Sequence, residues 1–152
     1  MKVVPQTDLG VGDADETGSS FVENALIKAR HASLLTGLPA IADDSGLVVD
    51  ALGGRPGVYS ARYSGADATD DSNIDKLLQE LQGVPDAKRT AAFHCCAVYV
   101  STDGSTSLVA EGRWNGRILE QRRGTGGFGY DPVSSGDHEG SVTVTVDRKS
   151  VV

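Results

Sequence analysis

The amino-acid sequence predicts an α/β domain in which a β-sheet lies between helices. Two segments show the apolar spacing of amphipathic helices, and apolar runs bounded by polar turns between and after them are typical of buried strands. The chain has 152 residues with a hydrophobic fraction of 39%, which suffices for one ordinary domain core. We find neither an internal repeat nor a convincing domain boundary. A mixed sheet flanked by helices therefore follows.

The first helix is predicted over Phe21–Thr36. Ser20 followed three residues later by Glu23 is typical of a capping box, and Gly37 is expected to end the helix. The apolar residues at helical spacing are Phe21, Ala25, Ala29 and Ala32.

The second helix is predicted from about Thr69 to Gln82. Thr69 or Asp70 would cap its beginning, and Gly83 would end it. Its apolar stripe consists of Ile74, Leu77, Leu78 and Leu81.

The apolar run 38–42 predicts a short buried strand that ends in a polar loop at 43–46. A short helical turn over 48–52 would follow. Further strands are predicted over 91–100 and 107–119, with a turn at 102–105 between them. A glycine-rich loop then spans 124–132, and the chain from 134 to 152 is expected to be a divergent C-terminal tail after a domain that covers 1–133.

Charge and cysteine content narrow the classes of function. The net charge of −7 argues against nucleic-acid binding, which needs clustered Lys and Arg, but leaves room for a polyphosphate ligand bridged by a divalent cation. The sequence shows neither a membrane-length apolar stretch nor a secretory signal, so we expect a cytoplasmic protein without membrane contact. Cys95 and Cys96 are adjacent in an apolar segment, where a disulfide between them would be strained, and this fits a reducing compartment.

The adjacent carboxylates of Asp43 and Asp44 are the sharpest candidate for chemistry. At the carboxyl end of a buried strand they would lie where open α/β sheets bind ligands. Two neighbouring carboxylates stay ionised only beside a cation or strong donors, and Mg²⁺ is the natural candidate. The same residues also fit an ordinary polar turn with a capping Asp.

The glycine-rich loop matches G-x-G-x-x-G over 124–129 but lacks the preceding strand and the following helix of a dinucleotide-binding motif. Two interpretations remain. Phe128 or Tyr130 could stack on a flat base, with Asp131 beside it, or the segment could be a solvent loop with an aromatic anchor. The role of Lys28 on the first helix also stays open, because most lysines on helices only line a solvated face.

Longer motifs resemble the bacterial inosine/xanthosine triphosphate pyrophosphatases. They are F-x-E-N-A-x-x-K-A from 21, T-G-L-P-A-I-A-D-D-S-G-L from 36, D-A-L-G-G-x-P-G-V-Y-S-A-R-Y from 50 and G-G-F-G-Y-D-P from 126. The resemblance covers about residues 5 to 133. It favours the chemical interpretation of Asp43 and Asp44 over the turn.

The resemblance implies an elongated, two-lobed fold with a long mixed sheet, generally dimeric. It implies Mg²⁺-dependent hydrolysis of non-standard purine nucleoside triphosphates (ITP, dITP and XTP) to the monophosphate and pyrophosphate. By motif match, Asp44 corresponds to the general base and a metal ligand, with Asp43 beside it. Asp15 falls where the family usually has a metal-binding Glu. The residues matched to substrate contacts are Ser45, Lys28, Phe128, Gly129, Tyr130 and Asp131.

Two features of the family pattern are missing from these residues. Members begin with an apolar strand and a Thr-Gly-Asn-x-x-Lys loop that grips the phosphates, and they end with a Ser-His-Arg element that helps to read the base. On this ground we expect an incomplete form of the fold, truncated at both ends. The alternative to an active pyrophosphatase is a catalytically inactive member that keeps the fold and the dimer surface.

Overall fold

A computed structural model of the chain describes residues 2–103, 106–125, 127 and 129–148. Within these residues the chain forms two α-helices, α1 (Phe21–Thr36) and α2 (Asp70–Glu80), and short 3-10 turns. The four strands are β1 (Ala40–Val49), β2 (Thr90–Val100), β3 (Thr106–Ile118) and β4 (Ser134–Arg148). The predicted α/β class is confirmed. In this part of the chain no helix is long and apolar enough to cross a membrane.

Helix α1 has the predicted bounds. The Ser20 hydroxyl accepts a hydrogen bond from the Glu23 N–H at 3.2 Å, as expected for the cap. The Glu23 carboxylate turns to Ser19 instead of Ser20 and accepts from its N–H at 2.6 Å. Gly37 ends the helix with φ 67°, a left-handed conformation that glycine adopts without steric cost.

Helix α2 begins at the predicted cap. Thr69 and Ser72 form a reciprocal capping box, in which each side-chain oxygen accepts the other residue's N–H, at 3.1 and 2.9 Å. The helix ends two residues before the predicted Gln82. Its predicted stripe is buried at Ile74, Leu77 and Leu81.

The predicted end of the first strand at Asp43 is wrong, because β1 continues to Val49. Exposed and buried residues alternate along the strand, so that Asp43 and Ser45 lie on the exposed face and Asp44 on the buried one. Alternation allows polar residues inside a strand, whereas their composition alone indicated a loop. The predicted helical turn is reduced to a 3-10 turn at Asp50–Leu52.

The strands pair in the order β1-β2-β3-β4, which places β1 and β4 at the sheet edges. β2 and β3 are separated by only five residues, a connection that permits an antiparallel pair and is too short for a parallel crossover. Gly104 and Ser105 of the predicted turn lie outside the described residues. The segment expected as a divergent tail contributes β4.

The chain divides into two compact units, in agreement with the two lobes that the resemblance implied. The first unit comprises 1–44, 95–111 and 142–152. Small residues of α1 pack there against β2, which brings the helix backbone close to the sheet. Of the two free cysteines, Cys95 is exposed and Cys96 is buried. The buried core of this unit consists of Ala25, Ala29, Cys96, Val98 and Val100.

The second unit comprises 45–94 and 112–141 and has its own apolar core. Arg89 is buried there, only 3% exposed, and donates to three backbone carbonyls. They belong to Leu81, Ile118 and Leu119, at 2.8, 2.9 and 2.8 Å. One guanidinium therefore ties the end of α2 to the end of β3. The core residues are Leu47, Val49, Tyr63, Ile74, Leu77, Leu81, Ala91, Ile118, Tyr130 and Val133.

We predict that Arg89→Met lowers the free energy of unfolding by about 3 kcal/mol, because it leaves buried carbonyls without a donor. Urea denaturation would measure the loss. Arg55→Met is the matched control in the same unit: its side chain is 58% exposed, and we expect a loss below about 1 kcal/mol. Equal losses for the two variants would contradict the anchoring role of Arg89.

Candidate active site

A charged cluster in the first unit centres on the Lys28 ammonium. Its Nζ lies 3.0 Å from a carboxylate oxygen of Glu16 and 3.0 Å from one of Asp44. It also donates to the backbone carbonyl of Asp43 at 3.0 Å. One ammonium therefore holds two carboxylates and the backbone of β1, and Lys28 is not merely part of a solvated helix face.

The local fold explains why these groups meet. Asn24 and Lys28 are four residues apart on α1 and so lie on the same helix face. Both reach Asp44 on β1: Asn24 Nδ2 donates to Oδ2 at 3.2 Å and Lys28 to Oδ1 at 3.0 Å. Each oxygen of the Asp44 carboxylate therefore has its own donor.

Gly18 governs the path of the segment that carries Glu16. Its N–H donates to Asn24 Oδ1 at 2.8 Å, so the same amide that binds Asp44 also holds this segment. A Cβ at Gly18 would lie 2.6 Å from Asn24 Oδ1 and 2.7 Å from Glu23 Cβ, which is too close for any other residue type. A glycine is required here for close approach, because the segment runs directly over the first turn of α1.

Burial and the neighbouring charges shift the pKa of Lys28 in opposite directions. Burial alone would lower the pKa of its ammonium, but hydrogen bonds from Lys28 to Glu16 and Asp44, together with their charges, outweigh burial, and the pKa is raised above its ordinary value. The side chain therefore stays protonated at neutral pH. Asp44 is only 7% exposed, and its carboxylate oxygens accept hydrogen bonds from these fixed donors.

The structure separates the residues predicted as metal ligands. Asp43 and Asp44 point to opposite faces of β1, and Asp43 is exposed. Asp15 is exposed as well, whereas its neighbour Glu16 contacts Lys28. Sequence reasoning missed Glu16 and Asn24. The four-residue spacing of Asn24 and Lys28 could have identified the asparagine, but no pattern distinguishes Glu16 from Asp15.

The second unit holds the described part of the glycine-rich loop. Gly129 donates its N–H to Asp70 Oδ2 at the start of α2, at 2.9 Å. Tyr130 is only 4% exposed and donates its hydroxyl to the Ser60 carbonyl at 2.8 Å. It is therefore the aromatic anchor of the loop and not a surface on which a base could stack. Phe128 lies outside the described residues.

Asp131 lies on the exposed side of the same loop, at the start of the 3-10 turn Asp131–Val133. A Cβ at Gly127 would collide with the Asp131 carboxylate, so only glycine allows this close approach. Ser45, the remaining predicted substrate contact, is exposed on β1 and belongs to the same unit.

The carboxylates around Lys28 fit a magnesium site in which substrate phosphates would supply some of the ligands. Among the described residues there is no group of three or more His, Cys, Asp or Glu suited to hold a metal ion. Mg²⁺, however, commonly takes one or two carboxylates and completes its shell with water and substrate phosphates. Glu16 and Asp44 supply two carboxylates that both contact the Lys28 ammonium. Glu16, Lys28 and Asp43 border a cavity of about 730 Å³.

Comparisons with known proteins identify relatives along nearly the whole chain. The model of the Ham1 family matches residues 1–145. A dITP/XTP pyrophosphatase of Shigella flexneri is 57% identical over 150 residues, which cover 98% of this chain and 76% of the relative. A dITP/XTP pyrophosphatase of Yersinia pestis is 60% identical over 134 residues, which cover 88% of this chain and 68% of the relative.

Solved structures agree with these relatives. A HAM1 protein from Coxiella burnetii superimposes with a TM-score of 0.83 at 50% identity, over 88% of this chain and 68% of the other. A nucleoside-triphosphatase described as a dITP/XTP pyrophosphatase, from Mycobacterium abscessus, superimposes with a TM-score of 0.75 at 47% identity, over 84% and 65%. The chain thus spans about two thirds of the length of these structures.

We predict that Lys28 and Asp44 are energetically coupled. Lys28→Met should lower the free energy of unfolding by about 2 kcal/mol, because it leaves the buried Asp44 carboxylate with Asn24 as its remaining hydrogen-bond donor. Asp44→Asn should cost less in that background than in the parent, which gives a coupling energy of about 1–2 kcal/mol in urea denaturation.

The exposed pair Arg55 and Glu80, 3.3 Å apart in the second unit, supplies the control cycle. Its coupling should stay below about 1 kcal/mol. If the coupling of Lys28 with Asp44 is no larger than that of this surface pair, the buried cluster does not form in solution.

Proposed function

Since the chain belongs to the Ham1 family, we propose that it hydrolyses non-standard purine nucleoside triphosphates (ITP, dITP and XTP) to the nucleoside monophosphate and pyrophosphate. The similar proteins named dITP/XTP pyrophosphatases support the substrate class. The observation in this chain that carries the proposal is the Asp44 carboxylate, buried and held by Asn24 and Lys28.

Asp44 acts as the general base in this proposal. Two fixed donors orient its carboxylate, and a positioned carboxylate can accept a proton from a water molecule as that water attacks a phosphorus atom. Asn24 and Lys28 reach Asp44 from the same helix face, so neither oxygen can turn away without losing a bond. The water oxygen bonds to the α-phosphorus while one of its protons moves to an Asp44 oxygen. The bond from the α-phosphorus to the oxygen that bridges to the β-phosphorus breaks, and pyrophosphate leaves with that electron pair.

The charge of the cluster supports the proposal that the reaction uses a divalent cation. Glu16, Lys28 and Asp44 carry two negative charges and one positive charge, which leaves a net charge of −1 beside a polyphosphate. Mg²⁺, when bound, neutralises charge between carboxylates and phosphate oxygens. We assign Glu16 and Asp44 as the residues that would hold it. Asp15 and Asp43 stay predicted ligands: both are exposed, and Asp43 lies on the opposite strand face from Asp44 and borders the cavity of Glu16 and Lys28.

Substrate contacts in the second unit follow from the same resemblance. Ser45, Gly129 and Asp131 are proposed to contact the nucleotide, with Tyr130 fixing the loop from beneath. Selection of a 6-oxo purine would come from donors that leave the amino group of adenine without a partner. Lys28 is proposed to lie near the phosphates. We further propose a cytoplasmic homodimer, in keeping with the resemblance to the pyrophosphatase family.

Pyrophosphate release from dITP or XTP, compared with dATP, tests the activity. We expect release with Mg²⁺, none after chelation with EDTA, and a strong preference for the 6-oxo purines. The absence of release from every substrate at micromolar protein would contradict the proposal and favour the inactive alternative.

Two neighbouring aspartates separate the role of Asp44 from a general effect of charge. Asp44→Asn should reduce kcat/KM by about 10²–10⁴-fold, as expected for loss of a general base. Asp43→Asn makes the same chemical change one residue away on the opposite face, and we expect a reduction below about threefold. Similar effects of both substitutions would contradict the assignment of the base.

A further inference from the structure

Ser60 in the second unit connects two segments that the proposed function assigns to substrate contact. It lies in the 3-10 turn Gly57–Arg62 and is only 8% exposed. Its hydroxyl contacts the backbone of β1 two residues after Ser45, and its carbonyl contacts the loop at Tyr130. Neither contact was evident from the sequence, because Leu47, Ser60 and Tyr130 are not neighbours along the chain.

The hydroxyl of Ser60 completes the hydrogen bonding of an edge strand. In the described sheet β1 pairs with β2, and next to the isolated bridge from Val48 to Pro56 the Leu47 N–H donates to Ser60 Oγ at 2.9 Å. The hydroxyl donates in turn to the Gly57 carbonyl at 2.6 Å, which directs its acceptor orbitals towards Leu47. Without this hydroxyl a buried backbone N–H would lose its partner.

The carbonyl of Ser60 accepts the hydroxyl of Tyr130 at 2.8 Å and the Asn73 side-chain amide at 3.3 Å. Burial raises the pKa of Tyr130, so its hydroxyl remains a donor at neutral pH. The next residue back, Gly129, is held separately by Asp70. The loop is therefore attached at two successive residues, once to Ser60 and once to α2.

We propose that Ser60 is a positioning residue for substrate binding, which holds Ser45 and the loop segment Gly129–Asp131 at a fixed separation. This inference rests on the proposed function, because those residues are there assigned to contact the nucleotide. Ser60 itself contacts no substrate. A separation that is fixed before binding lowers the entropy cost of ordering strand and loop around the ligand.

Amide hydrogen exchange tests the positioning without any activity measurement. Ser60→Ala removes the hydroxyl that bonds to Leu47 and should accelerate exchange around Leu47 at least about tenfold. Alanine keeps the carbonyl that accepts from Tyr130, but the inference requires the hydroxyl to hold the Ser60 backbone in place, so exchange over Gly129–Asp131 should also accelerate. Tyr130→Phe keeps the serine and should accelerate exchange in the loop while leaving Leu47 unchanged. It serves also as the second variant if Ser60→Ala fails to fold. Unchanged loop exchange in Tyr130→Phe, or in a folded Ser60→Ala, would overturn the inference.

Kinetics link the positioning to the substrate. Ser60→Ala should raise KM for dITP about tenfold with kcat within about twofold of the parent, because uniform binding is lost. Ser60→Thr keeps the hydroxyl and should restore KM. Ser64→Ala is the matched control: this exposed serine has hydroxyl hydrogen bonds to Ser72 and Asn73, which the proposal does not assign to substrate contact, and we expect an unchanged KM.

The outcomes separate the two proposals. A parent protein that releases no pyrophosphate, combined with the expected exchange pattern, would refute the proposed function and leave the positioning intact. An active parent with unchanged KM and unchanged exchange in Ser60→Ala would overturn the role of Ser60 alone. A loss of kcat with unchanged KM would also overturn it, since that result places Ser60 in the chemical step.

Discussion

The interaction on which the candidate site depends is the contact of one ammonium with two carboxylates. Glu16 belongs to the segment before α1, Lys28 to α1 and Asp44 to β1, and no short stretch of chain contains all three. Each carboxylate lies 3.0 Å from Lys28 Nζ. Without the ammonium, the partly exposed Glu16 carboxylate and the buried Asp44 carboxylate would lie near each other with no cation between them, and like charges repel.

The scaffold around this contact is built from small residues and one amide. Ala25 and Ala29 are fully buried against β2, and they let the helix lie close enough for Asn24 and Lys28 to reach the strand. Asn24 binds both β1 and the segment before α1, because its Nδ2 donates to Asp44 while its Oδ1 accepts from the Gly18 N–H. Helix packing thus determines where the buried Asp44 carboxylate lies, and the capped first turn of α1 determines the path of the segment with Glu16.

Local signals predicted the helices well. The cap at Ser20, the end at Gly37 and the stripe of α2 depend on neighbouring residues, so they are legible in one sequence. The course of β1 could not be predicted in the same way, because Asp-Asp-Ser-Gly is typical of a turn. In the folded protein these residues continue the strand, with exposed and buried side chains in alternation. The motifs predicted the family, which the comparisons confirm, whereas the catalytic role they assign to Asp44 stays a prediction. They could not distinguish Asp15 from Glu16, or assign Tyr130 as an anchor, because both depend on contacts between distant segments.

The most direct test of this account is an NMR titration of the Lys28 side chain in the parent and in Glu16→Gln. We expect the pKa of Lys28 to lie above the ordinary value of 10.5 in the parent, since both carboxylates favour the ammonium, and to be lower in Glu16→Gln. Because the folded-state pKa is raised, the contribution of Lys28 to stability is complete below the unfolded pKa and is lost as the pH rises through the folded one. A pKa at or below 10.5 that is insensitive to Glu16 would contradict the central claim that this ammonium holds the site together.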